Sequence, residues 1–401
     1  MQRYRLIMRF LSADLIFPIE TQPIPNGILV VGPQGKIIDI LTENDENAPD
    51  SGKVETFKGA LCPGFINAHC HLELSHMKGL VPERTGLPSF IMQIVSRRHE
   101  NAEQKMEAIR LADEEMWANG IEAVGDICNT ADTLESKLNS RLRYHSFVEV
   151  FSFDSSKAQQ VLAEGLLVAK TYAENGLKAT VVPHAPYSVS EELFDGIRQH
   201  QAKFPGTISI HNQETESENE MFRSGSGELV ELFKKFGEDF SDFNPKFNSS
   251  LNYHLHQLPK QVNSILVHNT MTRREEFEEV NEQNENLFWC ACPNANMYIE
   301  NRIPNVPMWL ETQSRVCVGT DSLASNHQLS VFDELKLIQE HHQSLGVQQL
   351  LKMATINGAK ALGMENEKGS FRKGKLPGVV LLKNLDSLST DLSQISVQRI
   401  V

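Results

Sequence analysis

The first sixty residues carry short apolar clusters, Leu6–Phe10, Leu15–Phe17, Gly27–Val31 and Lys36–Ile40, set apart by Pro, Gly and Asn. That texture predicts turn-punctuated strands. From about Leu61 short apolar runs alternate with longer amphipathic stretches, the pattern of β-α units feeding a parallel sheet. Eight runs read as strands: Gly64–His71, Ile121–Cys128, Tyr144–Phe151, Ala179–His184, Ile208–His211, Ile265–His268, Leu287–Cys292 and Val316–Thr320. Helical patterns cover Ala102–Asn119, Gln159–Asn175, Glu191–Gln199 and Val331–Gln343, and Leu351–Gly363 reads as a closing helix. Eight strands with room for a helix after each predict a (β/α)8 TIM barrel. An open doubly wound sheet is the alternative, but no Gly-rich turn follows the first strand.

Gly369–Leu382 returns to the Gly/Pro-punctuated texture of the first sixty residues. The simplest arrangement joins both chain ends, 1–60 and 366–401, in a small β-sandwich module beside a barrel of residues 61–365. Two intervals are long, His71 to Ile121 and His211 to Ile265. The second holds Gly225, Gly227 and the polar run Glu238–Ser250, so the insertion at 222–263 reads as a lid or specificity loop, with a disordered surface excursion as the alternative.

Composition narrows the partners. The chain has 401 residues, against about 250 for a typical barrel, which leaves material for the module and the loops. A net charge of −14 argues against nucleic acid, because polyphosphate binding needs a basic face. No apolar run approaches a membrane span of about 18 residues. Met1–Phe17 is broken by Arg9 and Asp14 and lacks a signal-peptide pattern. Six cysteines in so long a chain are not a disulfide scaffold, and a reducing cytoplasm is the expected compartment.

The candidate chemistry lies at the strand ends. His69 and His71 close the first strand two residues apart, and period two turns both to one side. His184, His211 and His268 end later strands, and Asp321 follows the eighth. In a parallel barrel those ends share one rim. A single histidine would be read as a satisfied polar residue. Five, with an aspartate in the same register, suit a borderline cation such as Zn²⁺. Glu214, three residues past His211, can move protons between a bound water and a substrate nitrogen; the alternative is a solvated loop acid, the reading given to Glu216, Glu218 and Glu220.

Other motifs carry less. His254-x-His256 lacks a preceding apolar strand and reads as loop or helix. Gly369-x4-Gly374-Lys375 imitates a phosphate loop, but Leu376 stands where a Ser or Thr would bind Mg²⁺. Cys290-x-Cys292 matches no thiolate zinc signature of cytidine-type deaminases. Cys70 should point away from the neighbouring histidines.

Pro63-Gly-Phe-Ile-Asn-Ala-His69-Cys-His71-Leu-Glu73 resembles the first-strand signature of the amidohydrolase superfamily. Gly319-Thr-Asp321-Ser-Leu-Ala-Ser-Asn326 resembles the eighth-strand signature of its aminohydrolase and chlorohydrolase branch. Pro183-His184-Ala-Pro-Tyr-Ser188, His211-x-x-Glu214, Val267-His268-Asn269 and Cys292-Pro-x-Ala-Asn296 fall between them in the branch's order. The likeness runs from about Gly59 to Gly363 and resumes at Gly369-x5-Lys375. It implies one metal held by His69, His71, His211 and Asp321. His184 stands where binuclear members carry a carboxylated lysine, which favours one ion, zinc, with iron the alternative.

The resemblance further implies that His268 orients or polarises the attacking water, that Glu214 and Asp321 move its protons, and that His184 and Ser322 contact the substrate. The segment around Asn67–Ser75 with Lys78-Gly79 resembles aminodeoxyfutalosine deaminases, which act on an adenine-like nucleoside. Glu73 is then a substrate contact or a brace behind the site. The expected reaction is hydrolytic deamination of an amino-substituted heterocycle. The same scaffold opens cyclic amides or displaces halide, and a non-catalytic ligand-binding barrel is the reading from another class. A homodimer is what the family implies.

Overall fold

The computed structural model describes residues 8–99, 102–240, 243, 245–388 and 390–401. Leu6 and Ile7 of the first apolar cluster, and 241, 242 and 244 of the polar run, lie outside the described residues. The N-terminal segment forms β1 (Arg9–Ile16), β2 (Ile24–Pro25), β3 (Ile28–Val31), β4 (Ile37–Leu41) and β5 (Val54–Cys62). Eight further strands follow: β6 (Phe65–Cys70), β7 (Ile121–Cys128), β8 (Arg143–Val150), β9 (Lys178–Pro183), β10 (Ile208–Asn212), β11 (Ser264–His268), β12 (Leu287–Ala291) and β13 (Val316–Val318). The chain ends with β14 (Val380–Lys383) and β15 (Ser396–Arg399).

The terminal strands share one seven-stranded mixed sheet of order β15-β14-β5-β1-β3-β4, with β2 beside β1. β5 runs parallel to β1 on one side and antiparallel to β14 on the other, with Val380 opposite Cys62. Its apolar face packs Leu11, Leu29, Val31, Leu61 and Leu381 around Phe371. A buried clamp ties this sheet to the first parallel strands. Glu122 pairs with Lys368 at 2.6 Å and with Arg399, whose guanidinium lies 3.4 Å from the centre of the Trp117 ring.

All eight expected strands form, as two four-stranded parallel sheets, β6-β7-β8-β9 and β10-β11-β12-β13. At one seam the His211 N–H donates to the His184 carbonyl at 3.0 Å. At the other the N–H groups of Thr320 and Asp321 donate to the His69 carbonyl at 3.0 and 3.1 Å. That turn is why β13 stops at Val318, two residues short of the expected end. Gly319 permits it, since a Cβ there would stand 2.7 Å from the His69 carbonyl oxygen.

The intervals between strands are largely helical, with helices at Lys105–Ala118, Ala158–Glu174, Glu191–Lys203 and Val331–His341 near the expected positions. The closing helix is not one regular piece. Val347–Lys352 widens into a π turn at Met353–Asn357 before Gly358–Ala361. Parallel strands alternating with helices make this a TIM-barrel-like α/β fold. Among the described residues no helix is long and apolar enough to cross a membrane. The six cysteines are all buried and unpaired.

Candidate active site

The carboxyl ends of the parallel strands bring the predicted residues together. His71 Nε2 lies 3.1 Å from His69 Nε2 and 3.3 Å from His211 Nε2. Asp321 Oδ1 lies 3.5 Å from His69 Nε2 and 3.3 Å from His71 Nε2. The cluster is built by specific local bonds. Asn67 and Thr320 exchange two hydrogen bonds across the seam, at 2.7 and 3.0 Å. Ser325 donates to Asp321 Oδ2 at 2.5 Å, which leaves Oδ1 for the histidines. His211 Nδ1–H donates to the His184 carbonyl at 2.9 Å, so its Nε2 presents a lone pair to the cluster. Asp126 Oδ1 accepts the Leu72 N–H at 2.8 Å and holds the turn that follows His71. Lys137 neutralises Asp126 at 2.6 Å, both side chains fully buried.

Three imidazoles and a carboxylate converging on one point are a metal-shaped arrangement. Ligands about 2.0–2.1 Å from one tetrahedral centre stand about 3.3–3.4 Å apart. Four of the six spacings, from 3.1 to 3.5 Å, bracket that value, and all the donor atoms lie within 4.8 Å of one another. Protonation agrees. Burial pushes His69 and His211 down to about 4 and His71 to about 3. Burial alone would raise Asp321, but its hydrogen bond to His69 and the neighbouring imidazoles hold it well below the usual carboxylate range. Neutral imidazoles and a carboxylate are the coordinating forms. Glu149, His184 and His211 also place donor atoms within 4.8 Å of one another. There, however, His211 Nδ1 is committed to a carbonyl and its Nε2 to the first cluster, so the trio lacks a third free donor.

Glu214 is buried beside this centre, with Oε2 3.6 Å from His268 Nε2 and Oε1 without a partner among the described residues. Burial first, then the negative charge of Asp321, pushes its carboxyl well above the usual range. His268 is fixed by the Asn296 amide, which donates to Nδ1 at 3.2 Å. Gln213, His268, Asn269 and Asp321 all have positive φ, from 46° to 75°. Left-handed backbone in four non-glycine residues at strand ends concentrates strain at the site.

A cavity of about 380 Å³ opens onto the cluster and is lined by His71, His184, His211, Glu214, His268, Asp321 and Ser322. Its outer wall is apolar: Leu87, Phe90, Ile91 and Ile94 from the helix Leu87–Arg97, with Phe151 and Phe153 from the loop after β8. Phe233 and Phe236 enter from the insertion. Phe153 stacks on Phe240 of that insertion with ring centres 4.5 Å apart, so the long excursion is anchored to the active-face loops.

Glu73 is placed differently from the other predicted contacts. Its carboxylate accepts the N–H groups of Asn129 and Thr130 at 3.0 and 2.9 Å, and it does not line the cavity. It braces the loop after β7. Glu149, Asn129 and Tyr187 line the cavity and were not singled out from the sequence. The available signal was Glu149 near the end of the third parallel strand. His254 ends a short helix, Ser250–His254, and bonds the Ser250 carbonyl at 2.8 Å, away from the cluster. Lys375 is buried and donates to Ser370 at 2.6 Å. Cys70, Cys290 and Cys292 do not line the cavity.

The amino-acid chain is 26% identical over 359 residues to an aminodeoxyfutalosine deaminase from Nitratiruptor sp., covering 84% of this chain and 82% of that protein. Its fold matches the crystal structure of Helicobacter pylori aminofutalosine deaminase in complex with methylthio-coformycin. That match has a TM-score of 0.82 and 22% identity, over 98% of this chain and all of that one. The zinc complex of atrazine chlorohydrolase from Arthrobacter aurescens has the same fold, with a TM-score of 0.74 and 17% identity over 96% of this chain and 91% of that one. Residues 60–401 match the model of the amidohydrolase family, and with its strand-end histidines gathered on one cavity the chain belongs to that family.

Proposed function

We propose that this chain is a metal-dependent hydrolytic deaminase that removes ammonia from an amino-substituted heterocycle, an adenine-like nucleoside such as aminodeoxyfutalosine. The observation that carries this reading is the convergence of His69, His71, His211 and Asp321 on a cavity that Glu214 also lines, its carboxyl buried beside Asp321. The named deaminases among its relatives point to the same chemistry.

His69, His71, His211 and Asp321 hold one divalent ion, zinc, with iron the alternative. When bound, the ion supplies Lewis acidity that lets water ionise near neutral pH. The residues supply the rest. Asp321 accepts the water proton and returns it to the departing amine. His268, held by Asn296, polarises the attacking water. Glu214 gives its proton to the ring nitrogen next to the amino-bearing carbon, so charge does not accumulate on the ring as the carbon becomes tetrahedral, and it takes up the second water proton when ammonia leaves and the carbonyl forms. His184 and Ser322 contact the substrate, and Glu73 acts through the Asn129–Thr130 loop.

The architecture that goes with this reading is a closed (β/α)8 barrel of residues 61–365, supported by the backbone bonds across both seams. The module of 1–60 and 366–401 rolls into a small β-sandwich, supported by the bonds of Ile37 to Gly374 and Lys375 that join the far edge of the sheet back toward β14. Six buried thiols suit a cytoplasmic enzyme. A homodimer accompanies the family assignment.

Screening ammonia release across purines, pyrimidines and adenine-like nucleosides tests the function. The purified protein should deaminate at least one adenine-like nucleoside, and His211→Ala should abolish turnover together with stoichiometric metal. Opening of a lactam or release of halide, with no ammonia from any member, would show the deaminase reading to be wrong.

A further inference from the structure

Glu149 has no part in the reaction above, yet it lines the same cavity and is only 7% exposed. Its Oε2 receives the Asn129 amide at 3.4 Å, a long bond, and its Oε1 lies 3.5 Å from His211 Nδ1. That proton is already given to the His184 carbonyl at 2.9 Å. Among the described residues, His211 is its sole ion-pair neighbour. A buried carboxylate with so few donors is costly to hold in place. The open side, from which further donors can reach it, is the cavity.

Asn129 and His184 neighbour Glu149, and the same cavity is lined by apolar side chains of the helix Leu87–Arg97. A ligand group suited to Glu149 must therefore bring O–H or N–H donors and sit between the cluster and the apolar wall. Two neighbouring hydroxyls on a sugar ring match the two oxygens of one carboxylate, the way acidic side chains meet ribose in dinucleotide-binding folds. We propose that Glu149 recognises the ribose hydroxyls of the substrate and is the residue by which this site distinguishes ribonucleosides from their deoxy analogues. The proposal rests on the deaminase reading.

Adenosine, 2′-deoxyadenosine and 3′-deoxyadenosine, assayed for ammonia release and for binding by calorimetry, test it. Wild-type protein should favour adenosine over at least one deoxy analogue by roughly 10- to 100-fold in kcat/KM, the range for a hydrogen bond to a charged group. Glu149→Gln should lose a similar factor on adenosine, chiefly in KM, and lose little more on the disfavoured analogue. Equal use of all three nucleosides by the wild type overturns the assignment without recourse to any variant. So does a Glu149→Gln loss of the same size on every nucleoside. Deamination without hydroxyl discrimination removes this inference alone, whereas no deamination and no binding of any nucleoside removes the deaminase reading with it.

Discussion

Asp321 combines three constraints in one side chain: left-handed backbone, a serine on Oδ2 and two imidazoles facing Oδ1. In the proposed reaction a carboxylate here both completes the donor set and takes a proton from water. Asp321→Asn should therefore lower kcat by roughly 10²- to 10⁴-fold with the thermal midpoint little changed, and wild-type kcat in a folded variant would remove its role as base. The residues at this scale were legible where chemistry coincided with a strand end. His69, His71, His211, His268 and Asp321 are residue types that packing alone would not place there. Glu149 escaped because the third parallel strand was expected to run to Phe151. That placed Glu149 two residues inside a strand that in fact ends at Val150, one residue beyond it.

Among the elements, the turn after His71 depends on a charge pair from outside its own segment. Asp126 belongs to β7 and Lys137 to the helix Leu134–Asn139, and together they hold the Leu72 N–H from below. Lys137→Met leaves Asp126 buried and uncompensated, and should destabilise the fold by about 3–5 kcal/mol in urea unfolding. A loss below about 1 kcal/mol would mean that Asp126 is neutralised by another route. The strands were read well from periodicity, since each is a short apolar run between turn signals. The helix Leu87–Arg97 was not assigned, although Leu87, Phe90, Ile91 and Ile94 follow helical spacing. Its apolar face is shared between the cavity and the core, where Leu87 is buried. The break in the closing helix at Met353–Asn357 had no sequence mark, because a π turn comes from packing in the fold.

At the scale of the molecule, stability should depend on pH through histidines that do not line the cavity. Burial pushes His254 down to about 4 and His145 well below its ordinary value. Both stay neutral in the fold and take up protons when unfolded, so their contribution is complete above about pH 6.5 and is lost as pH falls toward 4. Buried Glu334, pushed up to about 8, acts in the opposite sense: its contribution is present below about pH 4.5 and lost as pH rises toward 8. His254→Asn should remove one proton from the acid limb. Between pH 6.5 and 5 the stability difference between wild type and variant should shrink by about 1 kcal/mol per pH unit. A constant difference would place the acid sensitivity in other groups.

The terminal sheet has a consequence for how the chain is made. β5 lies in its middle, yet its partner on one side, β14, begins more than three hundred residues later. While the polypeptide is leaving the ribosome, β5 stands as a bare edge until nearly all of the sequence has emerged. The Glu122 clamp is incomplete for the same interval, because Lys368 and Arg399 are also late. A nascent chain halted at Lys375 would offer that edge to any other extended segment, so truncated products should aggregate through β5 and need a holding chaperone that the finished protein does not.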